Sequence, residues 1–388
     1  MDFNIKICCE KEILEISRMI YDFAEIGSKE YKSSNLLAEK LSKHNFKVIK
    51  PYLGMETAFR AEYGGGKYSV GILAEYDALP NGHSCGHNLI AAWAYGVAIN
   101  LSKILNDAKI VVFGTPSEEG IGEYAGSKAK MVEEGAFKDV DFVVGMHPDD
   151  SWNLGAVTLA DVTSKATFIG KSSHVADSPE KGINALDAAV ASYVNINMFR
   201  DKANVKDNLV IGMVFRECGY ATNVIPERAV LEIDMRSSSG EFLEDFENKI
   251  KNLILSTSNA FGAKCQYERI TPLYSDYLNN ETINDYIEME LKKLNIHPRR
   301  IDKEKPFPSG STDEANVSKV VPTGHIDIKI GYPGIPGHSD DFRIASNPEN
   351  AKESLLIGIH AVYNAIINIF KDNAVERIKD EFNKKIKG

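Results

Sequence analysis

Apolar residues return every three to four positions between residues 10 and 48. They fall at Ile13, Ile16, Ile20 and Phe23, then at Leu36, Leu37 and Leu41, the spacing of helices that bury one face. Two strand-like runs follow, TAFRAEY (57–63) and YSVGILAEY (68–76), separated by Gly64-Gly65-Gly66. Glycine's access to positive φ makes this triplet a hairpin turn between two strands. No Lys-Ser/Thr pair follows it, which disfavours a phosphate-binding loop. A buried strand, KIVVFG (109–114), comes after an apolar helix at 88–105, and FVVGM (142–146) comes after the helical run GSKAKMVEEGAF. Helices alternating with short apolar strands predict an α/β fold, a mixed sheet covered by helices on both faces.

The pattern changes near residue 162. TSKATFIG reads as a strand, INALDAAVASYVNINMF as a helix, LVIGMVFREC and NVIPERAVLEIDMRS as strands, EFLEDFENKIKNLILSTSN as a helix and CQYERI as a last strand. The order β-α-β-β-α-β is that of a ferredoxin-like α+β unit. From about 272 the earlier style resumes and ends in a long amphipathic helix at 351–371. The expected organisation is a first domain split into 1–161 and 272–388, with a second domain, 162–271, inserted into it.

Composition narrows the function. With 388 residues, 43% hydrophobic and 26% charged, the chain has the make-up of a soluble globular protein large enough for two cores. A net charge of −10 argues against a nucleic-acid surface. No apolar stretch is expected to reach the roughly 20 residues that cross a bilayer, and Leu89 to Leu101 reads as a buried core helix. The N-terminal stretch mixes acids and bases, unlike a signal peptide. Five scattered cysteines (8, 9, 85, 218, 265) predict no disulfide framework and a reducing, cytoplasmic setting. All but Cys85 read as small buried hydrophobes.

Four short motifs carry chemistry. In HSCGHN (83–88) a thiol and an imidazole stand two apart, around a glycine, between a strand and a helix. Both can bend toward one ion. The motif also reads as a glycine turn with two chance histidines, or as a nucleophilic Cys85 paired with His87. TPSEEG (115–120) follows the strand KIVVFG, where ligands gather in open α/β sheets. Neighbouring carboxylates diverge, so one can bind a metal while the other faces water, the division that metal-assisted amide hydrolysis needs. GMHP (145–148) and GHSDDF (337–342) each follow an apolar strand and are expected to put His147 and His338 at strand ends. His44, His297 and His360 read as structural.

The runs GILAEYDALPNGHSCGHNLIAA, GTPSEEG and GMHP together resemble the aminoacylase/carboxypeptidase family of dinuclear metallopeptidases. The resemblance is strongest to its amidohydrolase branch of aminoacylase-like dipeptidases, p-aminobenzoyl-glutamate hydrolases and auxin-conjugate hydrolases. It extends over nearly the whole chain. SSHVADSPEKGINALDA and TNVIPERAVLEIDMRS look like parts of that family's lid domain, and GSTDEANVSKVVPTGHIDI and GHSDDF like the return to its catalytic domain.

The resemblance implies that Cys85, His87, Glu119, His147 and His338 bind two divalent metal ions, zinc or manganese, with the thiolate as a bridge. Glu118 matches the general base. His174 matches a lid histidine that reaches the partner's active site in dimeric relatives, while Asn223 and Arg236 match lid positions that hold the substrate's carbonyl or carboxylate end. The implied substrate is a small amide with a free carboxylate: a dipeptide, an N-acyl amino acid or an aminobenzoyl-glutamate conjugate. The implied assembly is a homodimer through the inserted domain, with no nucleic-acid or membrane partner. The wider family's His-x-Asp is here Glu75-Tyr76-Asp77, and Asn88 stands where auxin-conjugate hydrolases carry an acid. A cysteine hydrolase using Cys85 and a non-catalytic metal-binding scaffold are the competing readings.

Overall fold

The structure, a computed structural model, describes residues 7–200, 208–307 and 310–387. The first six residues of the N-terminal stretch therefore lie outside the described part. The chain divides into two compact units. One comprises Met1–Val157, Tyr277–Phe307 and Thr312–Gly388, the other Thr158–Asp276 and Pro308–Ser311.

The first unit opens with helices α1 (Glu10–Phe23) and α2 (Tyr31–Lys43) and strands β1 (Lys47–Ile49), β2 (Phe59–Gly64) and β3 (Tyr68–Ala74). Next come α3 (His87–Ile104), β4 (Ala108–Gly114), α4 (Ser127–Glu133), β5 (Phe142–Asp149) and β6 (Asn153–Leu154). The second unit contains β7 (Ala160–Ile169), α5 (Ala185–Arg200), β8 (Val210–Glu217), β9 (Arg228–Ser237), α6 (Gly240–Ala260) and β10 (Lys264–Arg269). The chain returns to the first unit with α7 (Glu281–Lys293), β11 (Arg299–Arg300), α8 (Ile301–Glu304), α9 (Glu314–Ser318), β12 (Thr323–Lys329), α10 (Asp340–Ala345), α11 (Pro348–Lys371) and α12 (Val375–Lys387).

The first unit is an eight-stranded mixed sheet in the order β1-β2-β4-β3-β5-β12-β6-β11. Its centre, β4-β3-β5-β12, is parallel. Successive side chains of a strand point to opposite faces, and both faces are covered. Ile110 and Val112 join the core under α1, α3 and α11, while Val111 and Phe113 join a second cluster with Met131 and Val317. The second unit is an antiparallel sheet, β10-β7-β9-β8, with α5 and α6 packed on it. This is the ferredoxin-like arrangement read from the element order.

Several local expectations need correction. Gly64 and Gly66 do have positive φ, but β2 and β3 form no hairpin, because β4 inserts between them, antiparallel to β2 and parallel to β3. A Cβ on Gly64 would lie 2.5 Å from the Ala108 carbonyl oxygen, so the triplet is shaped by the start of the later strand. One helix, Pro348–Lys371, is after all long and apolar enough by length and composition to cross a membrane. Most of it is buried against the sheet and α3, as in a core helix. A further helix, α12, follows it. Cys218 is exposed just beyond the end of β8, and Cys8, Cys9 and Cys265 are half-buried; all five cysteines are free.

Candidate active site

The site forms in loops that follow the carboxyl ends of the central parallel strands, where an open α/β sheet leaves a crevice. The loop after β3 carries Asp77 and the Cys85-Gly86-His87 turn. Gly86 (φ 82) caps α3, and a Cβ there would lie 2.7 Å from Pro148 Cγ. Only glycine fits this close approach in that conformation, and it brings Cys85 and His87 beside His147. The loop after β4 carries Glu118 and Glu119. His147 lies within β5, and His338 lies in the loop nine residues past β12, so neither marks a strand end as expected. His338 adopts φ 61, and its backbone is tied to the Cys85 loop: its N–H donates to the Ser84 carbonyl and its own carbonyl accepts from Asn81.

The five expected ligands and the expected base converge. Cys85 Sγ lies 3.3 Å from His147 Nε2. His87 Nε2 lies 3.8 Å from Glu119 Oε1 and 3.8 Å from Glu118 Oε2, and His338 Nε2 lies 3.5 Å from Glu119 Oε1. Cys85, His87 and His147 form one three-ligand group, and Cys85, Glu119 and His338 a second that shares the thiol. Bonds of about 2.0–2.3 Å in a tetrahedral site set neighbouring ligand atoms about 3.3–3.8 Å apart. Two buried atoms in the cluster, His87 Nε2 and Glu119 Oε1, have no hydrogen-bond partner among the described residues. Buried polar atoms are otherwise almost always paired, so these donors fit a bound cation.

The surroundings orient the ligands. His87 Nδ1 donates to Asp77 Oδ1 at 2.8 Å, and His147 Nδ1 donates to the Pro148 carbonyl at 2.7 Å. Each bond leaves Nε2 with its lone pair toward the cluster, the usual support behind a metal-binding imidazole. The other Asp77 oxygen accepts the Glu119 N–H at 3.1 Å. Burial opposes charge on His87, but Asp77 outweighs it and raises its pKa well above the usual value, so a bound cation takes the place of a proton on Nε2. Burial, followed by Glu75, pushes the Glu118 carboxyl well up. Burial also raises the Cys85 thiol, which favours a thiol over a free nucleophilic thiolate until a cation is bound.

Sequence reasoning missed the buried charges beneath the cluster. Glu75 Oε2 lies 3.5 Å from His87 Nε2, and its Oε1 accepts from the fully buried Lys128 at 2.9 Å. Lys128 also binds Asp313 through both its ammonium and its backbone N–H. His325, equally unforeseen, sits between Glu314 (2.9 Å) and Asp327 (3.1 Å). The acid at position 75 of Glu75-Tyr76-Asp77 was the one visible hint. Asn88 turns its amide to Ser17 and the Ser346 carbonyl.

His174, Asn223 and Arg236 belong to the second unit. His174 and Asn223 meet there: residue 174 bridges Val224, and the Val175 N–H donates to the Asn223 carbonyl. His174 Nδ1 accepts from the backbone of Ala176 and Asp177. Arg236 is held by Asp234 (3.1 Å) and Asp161 (3.3 Å), so its guanidinium already has two carboxylate partners.

Comparison with known proteins supplies the family. Residues 158–259 match the model of the M20 peptidase dimerisation domain. The chain is 33% identical to the Xaa-Arg dipeptidase of Mus musculus over 356 residues, covering 87% of this chain and 80% of that protein. The chain belongs to the M20 peptidase family. The Xaa-Arg dipeptidase of Homo sapiens is 31% identical to it, over 96% of this chain and 88% of that protein. A dinuclear metal-binding M20 peptidase of Bacillus subtilis shares the fold, with a TM-score of 0.63 at 17% identity over 92% of this chain and 98% of that one. As an M20 protein the chain is a metal-dependent amidohydrolase, which sets aside the cysteine-hydrolase and scaffold readings.

Proposed function

We propose that this M20 protein is a dipeptidase in which Cys85, His87, Glu119, His147 and His338 hold two divalent ions and Glu118 moves the proton. The observation that carries the reading is the convergence of the unpartnered His87 Nε2 and Glu119 Oε1 with Glu118 Oε2. Dipeptides ending in arginine are the first substrates to try, on the strength of the Xaa-Arg dipeptidase relatives. N-acyl amino acids and aminobenzoyl-glutamate conjugates follow.

When bound, the ions act as Lewis acids toward the scissile carbonyl and make water acidic near neutral pH. Glu118 Oε2 accepts a proton from the water whose oxygen attacks the amide carbon. It then delivers that proton to the nitrogen as the C–N bond breaks. Asp77 and the Pro148 carbonyl keep both imidazoles in the ligating tautomer. Asn223 and Arg236 are assigned to the substrate's carbonyl or carboxylate end, Arg236 by exchanging a carboxylate partner for the substrate's, and His174 to the developing oxyanion.

The second unit is assigned to homodimer formation. In support, β8 is an edge strand, and α5 exposes Val190, Tyr193, Val194 and Met198 while β8 exposes Val210 and Val214. The same reading puts the protein in a reducing, cytoplasmic setting, where its five free thiols persist.

The test is release of free amino acid from a dipeptide panel, by metal-loaded and chelator-treated protein and by Glu118→Gln. Loss on chelation, recovery with zinc or manganese, and a fall of about 100-fold or more in kcat for Glu118→Gln with metal content unchanged support the assignment. Full activity in Glu118→Gln overturns it.

A further inference from the structure

The residue before the Glu118-Glu119 pair is held in an unusual conformation. Ser117 has φ 58, in the left-handed region that a non-glycine residue seldom occupies. Such strain persists where the surroundings over-determine it, and here they do. The Ser117 N–H donates to Glu30 Oε1 at 2.9 Å, its carbonyl accepts from the Gly126 N–H at 3.2 Å, and its hydroxyl meets Ser28 Oγ at 2.9 Å. Ser28 is itself at φ 67, and its hydroxyl accepts the Tyr124 N–H at 2.8 Å. The two loops are pressed together: a Cβ on Gly27 would lie 2.5 Å from the Ile121 carbonyl oxygen and 3.2 Å from Ser117 Cα.

Glu30 is fully buried, and its second oxygen has no hydrogen-bond partner among the described residues. Burial, and after it Asp77, raises its carboxyl to about 7. A buried carboxyl is an expensive way to fasten an ordinary loop. Glu30 stands just before α2, far from Ser117 in sequence, and holds the backbone N–H of the residue that immediately precedes Glu118 and Glu119.

We propose that Glu30 is a positioning residue: by gripping the Ser117 backbone it holds the left-handed kink that aims Glu118 and Glu119 into the metal cluster. It touches neither substrate nor metal. The proposal rests on the roles given above to Glu118 and Glu119. Without the Glu30 acceptor, Ser117 relaxes toward negative φ and the two carboxylates leave their directions. A misplacement of about 1 Å costs on the order of 100-fold in rate.

The experiment compares Glu30→Ala, Glu30→Gln and Glu30→Ala with Ser117→Gly, all saturated with the same metal. For each it measures kcat, KM and the thermal midpoint. Glycine adopts the left-handed conformation without a side-chain penalty, so it replaces the grip by removing the strain. Glu30→Ala is expected to lose about 10- to 100-fold in kcat with KM within a few-fold. Glu30→Gln keeps an acceptor oxygen and loses less. Adding Ser117→Gly to Glu30→Ala recovers at least half of the loss on a logarithmic scale.

A Glu30→Ala protein that melts lower but keeps kcat in its folded fraction overturns the proposal. So does a loss of kcat that Ser117→Gly leaves unrepaired, since both mean Glu30 only stabilises the loop. Glu118→Gln separates this proposal from the one beneath it. An inactive Glu118→Gln beside a fully active Glu30→Ala removes the latch and keeps the base. An active Glu118→Gln beside a defective Glu30→Ala that Ser117→Gly repairs removes the base and keeps the latch.

Discussion

Lys128→Met tests whether the buried charges under the site are balanced as the geometry implies. Lys128 is fully buried, and its ammonium lies between Glu75, at 2.9 Å, and Asp313. Methionine keeps most of the apolar stem and deletes the charge, leaving two carboxyls facing each other in a dry site. Removing one partner of a buried ion pair costs about 3–5 kcal/mol, a large share of the roughly 5–15 kcal/mol that holds a domain folded. At about 2–4 °C per kcal/mol for a unit of a few hundred residues, the melting point falls on the order of 10 °C.

The cost depends on pH with a definite sign. Burial already raises Asp313 to about 6; Lys128 lowers it and Glu75 raises it. A carboxyl raised in the folded state contributes stability that is present below its unfolded value, near 4, and is lost as pH rises through the folded value. Without Lys128 the folded value climbs further, so the deficit of the variant is larger at pH 8 than at pH 5.5. The assay is thermal unfolding followed by circular dichroism at both pH values, on chelator-treated protein. Adding Asp313→Asn should restore several degrees at pH 8. A deficit of equal size at both pH values, or none, refutes the electrostatic reasoning.

Two other perturbations address the second unit. Burial and the neighbouring Asp234 raise Asp161 to about 7 against the pull of Arg236, so its contribution to stability fades between about pH 4 and pH 7. Asp161→Asn should flatten that slope and melt above the parent at pH 8, and a parallel pair of pH–stability curves would contradict it. Charging the exposed face of α5 with Val194→Glu and Met198→Glu should shift the protein from dimer to monomer in sedimentation velocity without lowering the melting point of the unit. A dimer that persists moves the interface elsewhere.

The sheet, the inserted unit and the cluster of Cys85, His87, Glu118, Glu119, His147 and His338 were legible because they are written locally. Strand periodicity ends where the motifs begin, and each motif lies within a few residues. What escaped was non-local. The turn at Gly64–Gly66 resembled a hairpin because nothing near it announces that Ala108–Gly114 will slide between its flanking strands. Lys128 and Asp313 lie far apart in the chain, and each reads alone as an ordinary surface charge. His338 was placed on the end of a strand, but an intervening loop carries it to the cluster. The strain at Ser117 has no signature in residue type at all, since serine is not a residue that favours positive φ.

The place of β12 in the sheet bears on how the chain is made. Thr323 pairs with Val143, and the strand that ends the parallel core is not available until the whole inserted unit has been synthesised. At about 5–20 residues per second the free edge of β5 waits roughly 10–40 s for its partner. An apolar strand edge left open for so long invites pairing with another chain. During translation the inserted unit, whose strands are all contiguous, is free to fold within that interval. Expression hosts rich in nascent-chain chaperones should therefore yield more soluble protein than the same gene translated quickly without them.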